Sequence, residues 1–321
     1  MNRFQSLLGQ NQAVALLQQA IAQNRIAPAY LFVGPEGVGK RLAAKAFAEE
    51  LLMGSLNEAE QQQRQKRFFA GNHPDLLKLE PTFQHQGKLL TAAEADQVGL
   101  KRRSPPLIRV EQIREINRFL SRPPLEADRA VVLIEAAEAM NEGAANALLK
   151  TLEEPGRATL ILLAPSIDAL LSTLVSRCQR IPFYRLSETD IHAILARLGR
   201  QDLLHQPELL AIAQGSPGTL FQAWEQLQAI SPELREKLQT PPKTALAAFE
   251  LAKLVDGNLD TAAQLWLVDY LQYHYWQSHQ QRQWLESLEK TRQYLLAYVQ
   301  PRLVWESTLL NFYHLSKLNG A

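Results

Sequence analysis

Between a short apolar run, Ala29 to Val33, and a stretch with helical spacing through Leu42, Ala43, Ala46, Phe47 and Leu51 lies the segment Gly34-Pro35-Glu36-Gly37-Val38-Gly39-Lys40-Arg41. No other feature constrains the fold so tightly. Glycines let a loop close with its backbone N–H groups turned inward, and a helix starting at Lys40 points its positive end at the same place. With a lysine placed to reach outer phosphate oxygens, this is the phosphate-binding loop pattern in the strand, loop, helix setting it requires. The residues such a loop would offer a nucleotide are Gly34, Gly37, Gly39, Lys40 and Arg41.

Further along, Ala130 to Ile134 and Thr159 to Ala164 are continuous apolar runs of strand length, and His73 to Leu79 reads as an extended segment. Helical patterns separate them: Ile113, Ile116 and Leu120 share one face, and so do Leu148, Leu149 and Leu152 in a helix that starts at Asn141 or Glu142 and stops at Pro155 and Gly156. Strands that are apolar throughout and alternate with helices predict an α/β domain whose parallel sheet is covered on both faces. The polar, glutamine-rich segment 54–71 reads as an insertion. After Phe183 only helices are expected, at Glu188 to Leu198, Pro207 to Gln214 and Gly218 to Leu227, then a series from Thr244 to Lys317. With a break near Gln228 to Pro232, the expected domains are 1–185, 186–228 and 229–321, which suits a chain of 321 residues.

Composition narrows the function classes. With 46% hydrophobic and 21% charged residues, a packed core is expected rather than disorder. Thirty-four lysines and arginines against thirty-three acids leave a net charge of +1, too little for a global field that gathers nucleic acid. The strongest basic cluster, Lys101, Arg102 and Arg103, reads as a solvated loop rather than a DNA clamp. Cys178 is the one cysteine, which excludes an intrachain disulfide and points to the cytoplasm. Met1 to Gln12 lacks a charged start followed by an apolar stretch, and no apolar run approaches a membrane span, so neither export nor membrane insertion is expected.

The position after Lys40 is wrong for an ATPase. A magnesium site needs a Ser or Thr hydroxyl there, and Arg41 offers a cation with no acceptor. Two unit positive charges ~4 Å apart repel by about 4 kcal/mol at an effective dielectric of ~20, and a divalent ion doubles that. At the end of the Ala130 to Ile134 strand, where an aspartate for magnesium and a glutamate for water would stand, the residues are Glu135 and Ala136. Glu135 keeps a carboxylate; Ala136 has nothing with which to orient a nucleophile.

The run from Asn141 through Leu148-Leu149-Lys150-Thr151-Leu152-Glu153-Glu154-Pro155 resembles the signature helix of the bacterial clamp-loader AAA+ family of the DNA polymerase III holoenzyme. Leu174-Val175-Ser176-Arg177-Cys178 is similar to the motif with which that family supplies an arginine finger to ATP on the adjacent subunit. The resemblance implies that role for Arg177, flanked by Ser176 and Cys178, and a guanidinium supplied in trans is worth roughly three to five orders of magnitude in phosphoryl transfer. Taken alone, Arg177 would read as a surface arginine or half of a salt bridge. The resemblance further implies two phosphate-sensing positions, filled here by Ala164 before Pro165 and by Thr219 after Gly215-Ser216-Pro217-Gly218. Both lack the expected group, so the match is to a non-hydrolysing member of the family rather than to its tau or gamma ATPases.

That likeness implies a scaffold subunit without ATPase activity of its own, with a helical lid over 186–228 and a helical collar over 229–321 that joins it to tau or gamma and to the delta subunit. It would meet the sliding clamp and primer-template DNA through the complex. No cofactor is required, ATP or ADP in the degenerate loop being the one candidate. Many bacterial members carry a four-cysteine zinc module ahead of a segment like His73-Pro74-Asp75; Met53 to Asn72 has no cysteine, so no zinc is expected and His73 reads as a capping or packing residue. An autonomous ATP switch using Lys40 and a plain DNA-binding module are the rival readings. Tyr270, Tyr273, Tyr275 and Trp276 could stack on single-stranded DNA, but without interleaved lysines and arginines they read as core or interface.

Overall fold

The structure, a computed structural model, describes residues 3–53, 58–100 and 104–319, and divides into two compact units, Met1–Ile194 and Leu195–Ala321. The basic cluster at 101–103 lies outside the described residues.

The first unit is built on a parallel sheet. Its strands are β1 (Ala29–Val33), β2 (Leu76–Leu79), β5 (Ala130–Ile134), β6 (Ala158–Ala164) and β7 (Gln179–Pro182), with β3 (Phe83–His85) and β4 (Lys88–Leu90) forming a separate hairpin. The spatial order β2-β5-β6-β1-β7 puts the phosphate-loop strand β1 between β6 and the edge strand β7. Helices α1 (Asn11–Ala22), α2 (Lys40–Met53), α5 (Val110–Leu120) and α6 (Glu142–Glu153) flank these strands in the chain. Every residue of β5 and β6 is buried, which is why both read as unbroken apolar runs. A core including Leu31, Val132, Ile134, Ile113, Ile116, Leu148, Leu160 and Leu162 locks α5 and α6 against the sheet.

Three parts of this unit differ from the expectation. Segment 54–71 contains a helix, α3 (Glu58–Phe69), instead of reading only as a polar insertion. Phe68 is buried, and polar contacts add to it: Arg64 and Arg67 both pair with Glu126, and Gln65 Nε2 donates to Glu49 Oε1 at 2.8 Å. The β3–β4 hairpin and the short helix α4 (Ala92–Gln97), closed by a Thr91–Glu94 capping box, carry no strong periodicity. Strand β7 has no apolar run to signal it either, since Ile181 is its one fully buried residue.

The second unit is helical among its described residues: α9 (Pro207–Ala213), α10 (Pro217–Ala229), α11 (Pro232–Gln239), α12 (Ala245–Asn258), α13 (Thr261–His279), α14 (Arg282–Leu296) and α15 (Pro301–Asn319). A short α7 (Ser172–Val175) precedes β7, and α8 (Glu188–Arg197) spans the division between the units. Tyr270 and Tyr275 are core residues. Tyr270 stacks on Trp266 with centroids 5.4 Å apart, and Tyr275 lies against Trp284 at 4.9 Å while its hydroxyl donates to Leu238 O at 3.0 Å. Tyr273 is half-buried, and only Trp276 of the four aromatics is exposed. Among the described residues no helix is long and apolar enough to cross a membrane.

Candidate functional site

The glycine loop connects the C-terminal end of β1 to α2, and each tight approach there explains a glycine. Gly34 has φ +157°, its N–H donates to Ala164 O at 3.3 Å, and a Cβ on it would lie 2.2 Å from Phe183 O. Gly39, at φ +105°, faces Leu7, whose Cδ1 would stand 2.8 Å from an added Cβ. Both positions need the freedom of glycine. The buried Gln10 braces the loop from outside: its Nε2 donates to Val38 O at 3.1 Å and to Tyr184 O at 2.6 Å, and its Oε1 accepts from Tyr184 N at 3.2 Å. Sequence reading misses Gln10, because a single glutamine before a helix gives no signal of its long-range partners.

Gly34, Gly37, Gly39, Lys40, Arg41 and Glu135 gather at this edge of the sheet. Lys40 turns its ammonium onto the loop's own carbonyls, Gly34 O and Pro35 O, the latter at 2.5 Å. Burial lowers its pKa, opposed by the nearby carboxylates of Glu36 and Glu138. Arg41 forms an ion pair with Glu135 through Nη2 and Oε2, the guanidinium 64% exposed and the carboxylate 11%. A fixed organic cation therefore neutralises the carboxylate at the end of β5 that an ATPase would turn to metal.

Ala136, next to it, adopts a left-handed backbone, φ 50° and ψ 58°, so the position where a water-orienting carboxylate would stand is a turn with no functional group. Ala164 is buried with its carbonyl taken by the Gly34 N–H. In the second unit, Thr219 is engaged in capping α10, where Ser216 Oγ accepts its N–H at 3.2 Å and lies 2.9 Å from its hydroxyl. At the loop end of the sheet, Lys40 and Arg41 thus stand among the carboxylates of Glu36, Glu135 and Glu138, and the position after Glu135 carries no functional group.

The Ser176-Arg177-Cys178 triplet occupies the other end of the sheet. Strand β7 runs parallel to β1 with Tyr30 opposite Gln179 and Val33 opposite Pro182, so Arg177 lies just before the N-terminal end of β7 whereas the loop follows the C-terminal end of β1. The three residue steps from Tyr30 to Val33 alone span roughly 10 Å, before the flanking residues are added. The turn is anchored from below. Leu174 is fully buried in the core and Cys178 packs against it, its thiol pushed up to about 11 by burial and thus protonated and unreactive. Ser176 Oγ closes the turn on Thr173 O at 3.0 Å.

Between these anchors Arg177 points outward, 38% exposed, with Nη1 donating to Thr173 O at 3.1 Å and Nη2 to Glu153 Oε1 at 2.7 Å. The salt bridge expected as the plainer role of Arg177 is thus present. It is an exposed pair, a class that contributes at most about 1 kcal/mol. Glu153 stands within the signature helix α6, yet nothing in its spacing reveals this partner.

His73 is buried in the turn before β2: its Nδ1 accepts the Asp75 N–H at 3.2 Å, and Asp75 in turn accepts from the backbone N–H groups of Leu125, Glu126 and Ala127 at 2.6 to 2.8 Å. Its Nε2 lies 4.0 Å from Glu126, and burial lowers its pKa, with Asp75 and Glu126 opposing and Arg64 and Arg67 reinforcing the shift. Among the described residues no group of three or more His, Cys, Asp or Glu is arranged to hold a metal ion.

Comparison with known proteins finds two family models along the chain. Residues 9–187 match the family model for DNA polymerase III, delta subunit, and residues 189–312 match that for the cyanobacterial DNA polymerase III delta prime, C-terminal domain. The DNA polymerase III subunit delta' of Pseudomonas aeruginosa is 36% identical over 64% of this chain and 58% of its own length. The delta' subunit of Bacillus subtilis is 34% identical over 59% of this chain and 54% of its own. The alignments thus span a little over half of each relative. Among solved structures, a DNA polymerase III gamma subunit-related protein of Thermotoga maritima superposes with a TM-score of 0.54 at 18% identity, covering 94% of this chain and 99% of that one, a likeness of fold. A parallel sheet with its phosphate loop is thus followed by a helical region, and the chain belongs to the DNA polymerase III delta-prime family.

Proposed function

We propose that this chain is the non-hydrolysing delta-prime subunit of a DNA polymerase III clamp loader, and that it lends Arg177 to ATP held by an adjacent tau or gamma ATPase subunit. The observation that carries the reading is the contrast between the two ends of one sheet. At the loop end, Arg41 is committed to Glu135 and Ala136 has no carboxylate. At the other end a guanidinium is held by an exposed carboxylate, and it is too far from its own loop to serve it. Aimed at a neighbour's γ-phosphate, Arg177 would stabilise the charge that develops during phosphoryl transfer. Cys178 and Ser176 would act by holding the turn that presents it.

In this reading the subunit is a scaffold at one end of an arc, with residues 186–228 as a lid and 229–321 as a collar joining tau or gamma and delta. It works in the cytoplasm and meets the sliding clamp and primer-template DNA through the complex. It requires neither zinc nor a nucleotide of its own. Reconstitution of the complex with Arg177→Ala tests the proposal. Assembly measured by gel filtration should survive while DNA-stimulated ATP hydrolysis and clamp loading fall; hydrolysis equal to wild type overturns the trans role.

A further inference from the structure

We infer that Glu153 is a parking site for Arg177, a carboxylate that holds the guanidinium on its own subunit until a neighbour's triphosphate takes its place. The inference rests on the trans role of Arg177 and adds a residue to it. Three observations carry it. Arg177 Nη2 donates to Glu153 Oε1 at 2.7 Å, so the group held ready for a phosphate is already occupied by an oxyanion. Carboxylate and phosphate oxygens compete for the same planar fork of N–H donors.

Second, Glu153 and Glu154 end α6, where the helix dipole disfavours negative charge and Lys150 is the one basic residue of the last turn. A carboxylate there gains more than usual from a cation brought by another segment. Third, both partners are exposed, Glu153 by 54% and Arg177 by 38%. Such a pair is weak enough to exchange, and water reaches both groups as they part. The second contact, Nη1 to Thr173 O at 3.1 Å, belongs to the turn that carries the arginine and can persist as a pivot.

The exchange favours a terminal phosphoryl group, with up to two negative charges, over a single carboxylate. A nucleoside diphosphate has no γ-phosphoryl group, and its β-phosphate ends one phosphate short of the position the arginine reaches for, so the arginine returns to Glu153. Parking thus raises the ATP concentration needed for engagement and withdraws the finger after hydrolysis. No covalent step is involved.

The test is a double-mutant cycle in the reconstituted complex with tau or gamma, delta, clamp and primed DNA, using wild type, Glu153→Gln, Arg177→Ala and the double variant. Glu153→Gln keeps the side-chain shape and removes the charge. It should lower the half-saturating ATP concentration about two- to fivefold, the worth of one exposed pair, and change the maximal rate by less than that. In the Arg177→Ala background the shift should vanish. An unchanged or raised half-saturating concentration overturns the inference, and so does a shift of equal size without Arg177. If Arg177→Ala alone depresses hydrolysis while Glu153→Gln moves nothing, parking fails and the trans role stands. If Arg177→Ala has no effect, both fall.

Discussion

Two arginine–glutamate pairs stand at opposite ends of one sheet, and their chemistry is the same. Arg41 meets Glu135 at the C-terminal edge, beside the glycine loop; Arg177 meets Glu153 at the N-terminal edge, where α6 ends. Their surroundings differ. Glu135 is 11% exposed at the end of a strand buried along its whole length, so its carboxylate depends on the cation beside it. Glu153 is 54% exposed and has water as an alternative partner. Burial fixes the first pair in place and leaves the second exchangeable, so residue type alone does not assign a role to either arginine.

The most forceful way to break this comparison is to remove each arginine in turn. Arg177→Ala should lower hydrolysis at the ATP site it serves by roughly three to five orders of magnitude, measured as DNA-stimulated turnover in the reconstituted complex, and should leave the melting temperature of the isolated chain nearly unchanged. Arg41→Ala should do the reverse. It should leave turnover of the complex within a few fold of wild type and destabilise the isolated chain by about 1–2 kcal/mol. The full cost of breaking a buried pair is about 3–5 kcal/mol, discounted here because the guanidinium is more than half exposed. Glu135→Gln should cost less than Arg41→Ala, since the stranded arginine can reach water. Urea unfolding of the two variants reads the difference, and equal costs would mean that Glu135 is not the dependent partner.

How much of this contrast is legible in the chain itself depends on the range of the signals. The glycine loop is legible because glycine positions, the flanking strand and the helix after it are local patterns, and the apolar runs of β1, β5 and β6 give the parallel sheet for the same reason. Arg41 and Ala136 declare a departure by residue type. That Arg41 occupies the Glu135 carboxylate needs the fold, since the two residues come from different strand–helix units. Strand β7 goes unread because an edge strand with Ile181 as its only fully buried side chain has no apolar run. Helix α3 is obscured by its polarity: ion pairs with Glu126 and a bond to Glu49 help to hold it, and no apolar stripe announces them. Glu153 is in plain view within a helix ending in Glu-Glu-Pro, and its partner arrives from a turn after the next strand.

His73 extends the same rule to a titratable group. Its folded pKa lies below the usual 6.5 because burial disfavours the imidazolium. On acidification through the unfolded value near 6.5 the unfolded chain takes up the proton first, so stability falls as pH drops from about 7 toward the depressed folded pKa. Comparing wild type with His73→Gln across that window by thermal unfolding should show the slope reduced in the variant. An unchanged slope would mean that Nε2 accepts a proton in the folded state at no cost, with Glu126, 4.0 Å away, as its counter-ion.

The smallest effect tests the exchangeable pair most directly. Glu153→Ala in the isolated chain should change stability by less than about 1 kcal/mol, and that contribution should shrink near 1 M salt, where the screening length falls to ~3 Å. The Arg41–Glu135 contribution should survive the same salt, because the buried carboxylate is less exposed to counter-ions. If both pairs faded alike, the difference in burial would not set their strength, and the assignment of one as fixed and the other as exchangeable would lose its physical basis. If only the exposed pair fades, a guanidinium that leaves its carboxylate at so small a cost is one that a neighbouring triphosphate can capture.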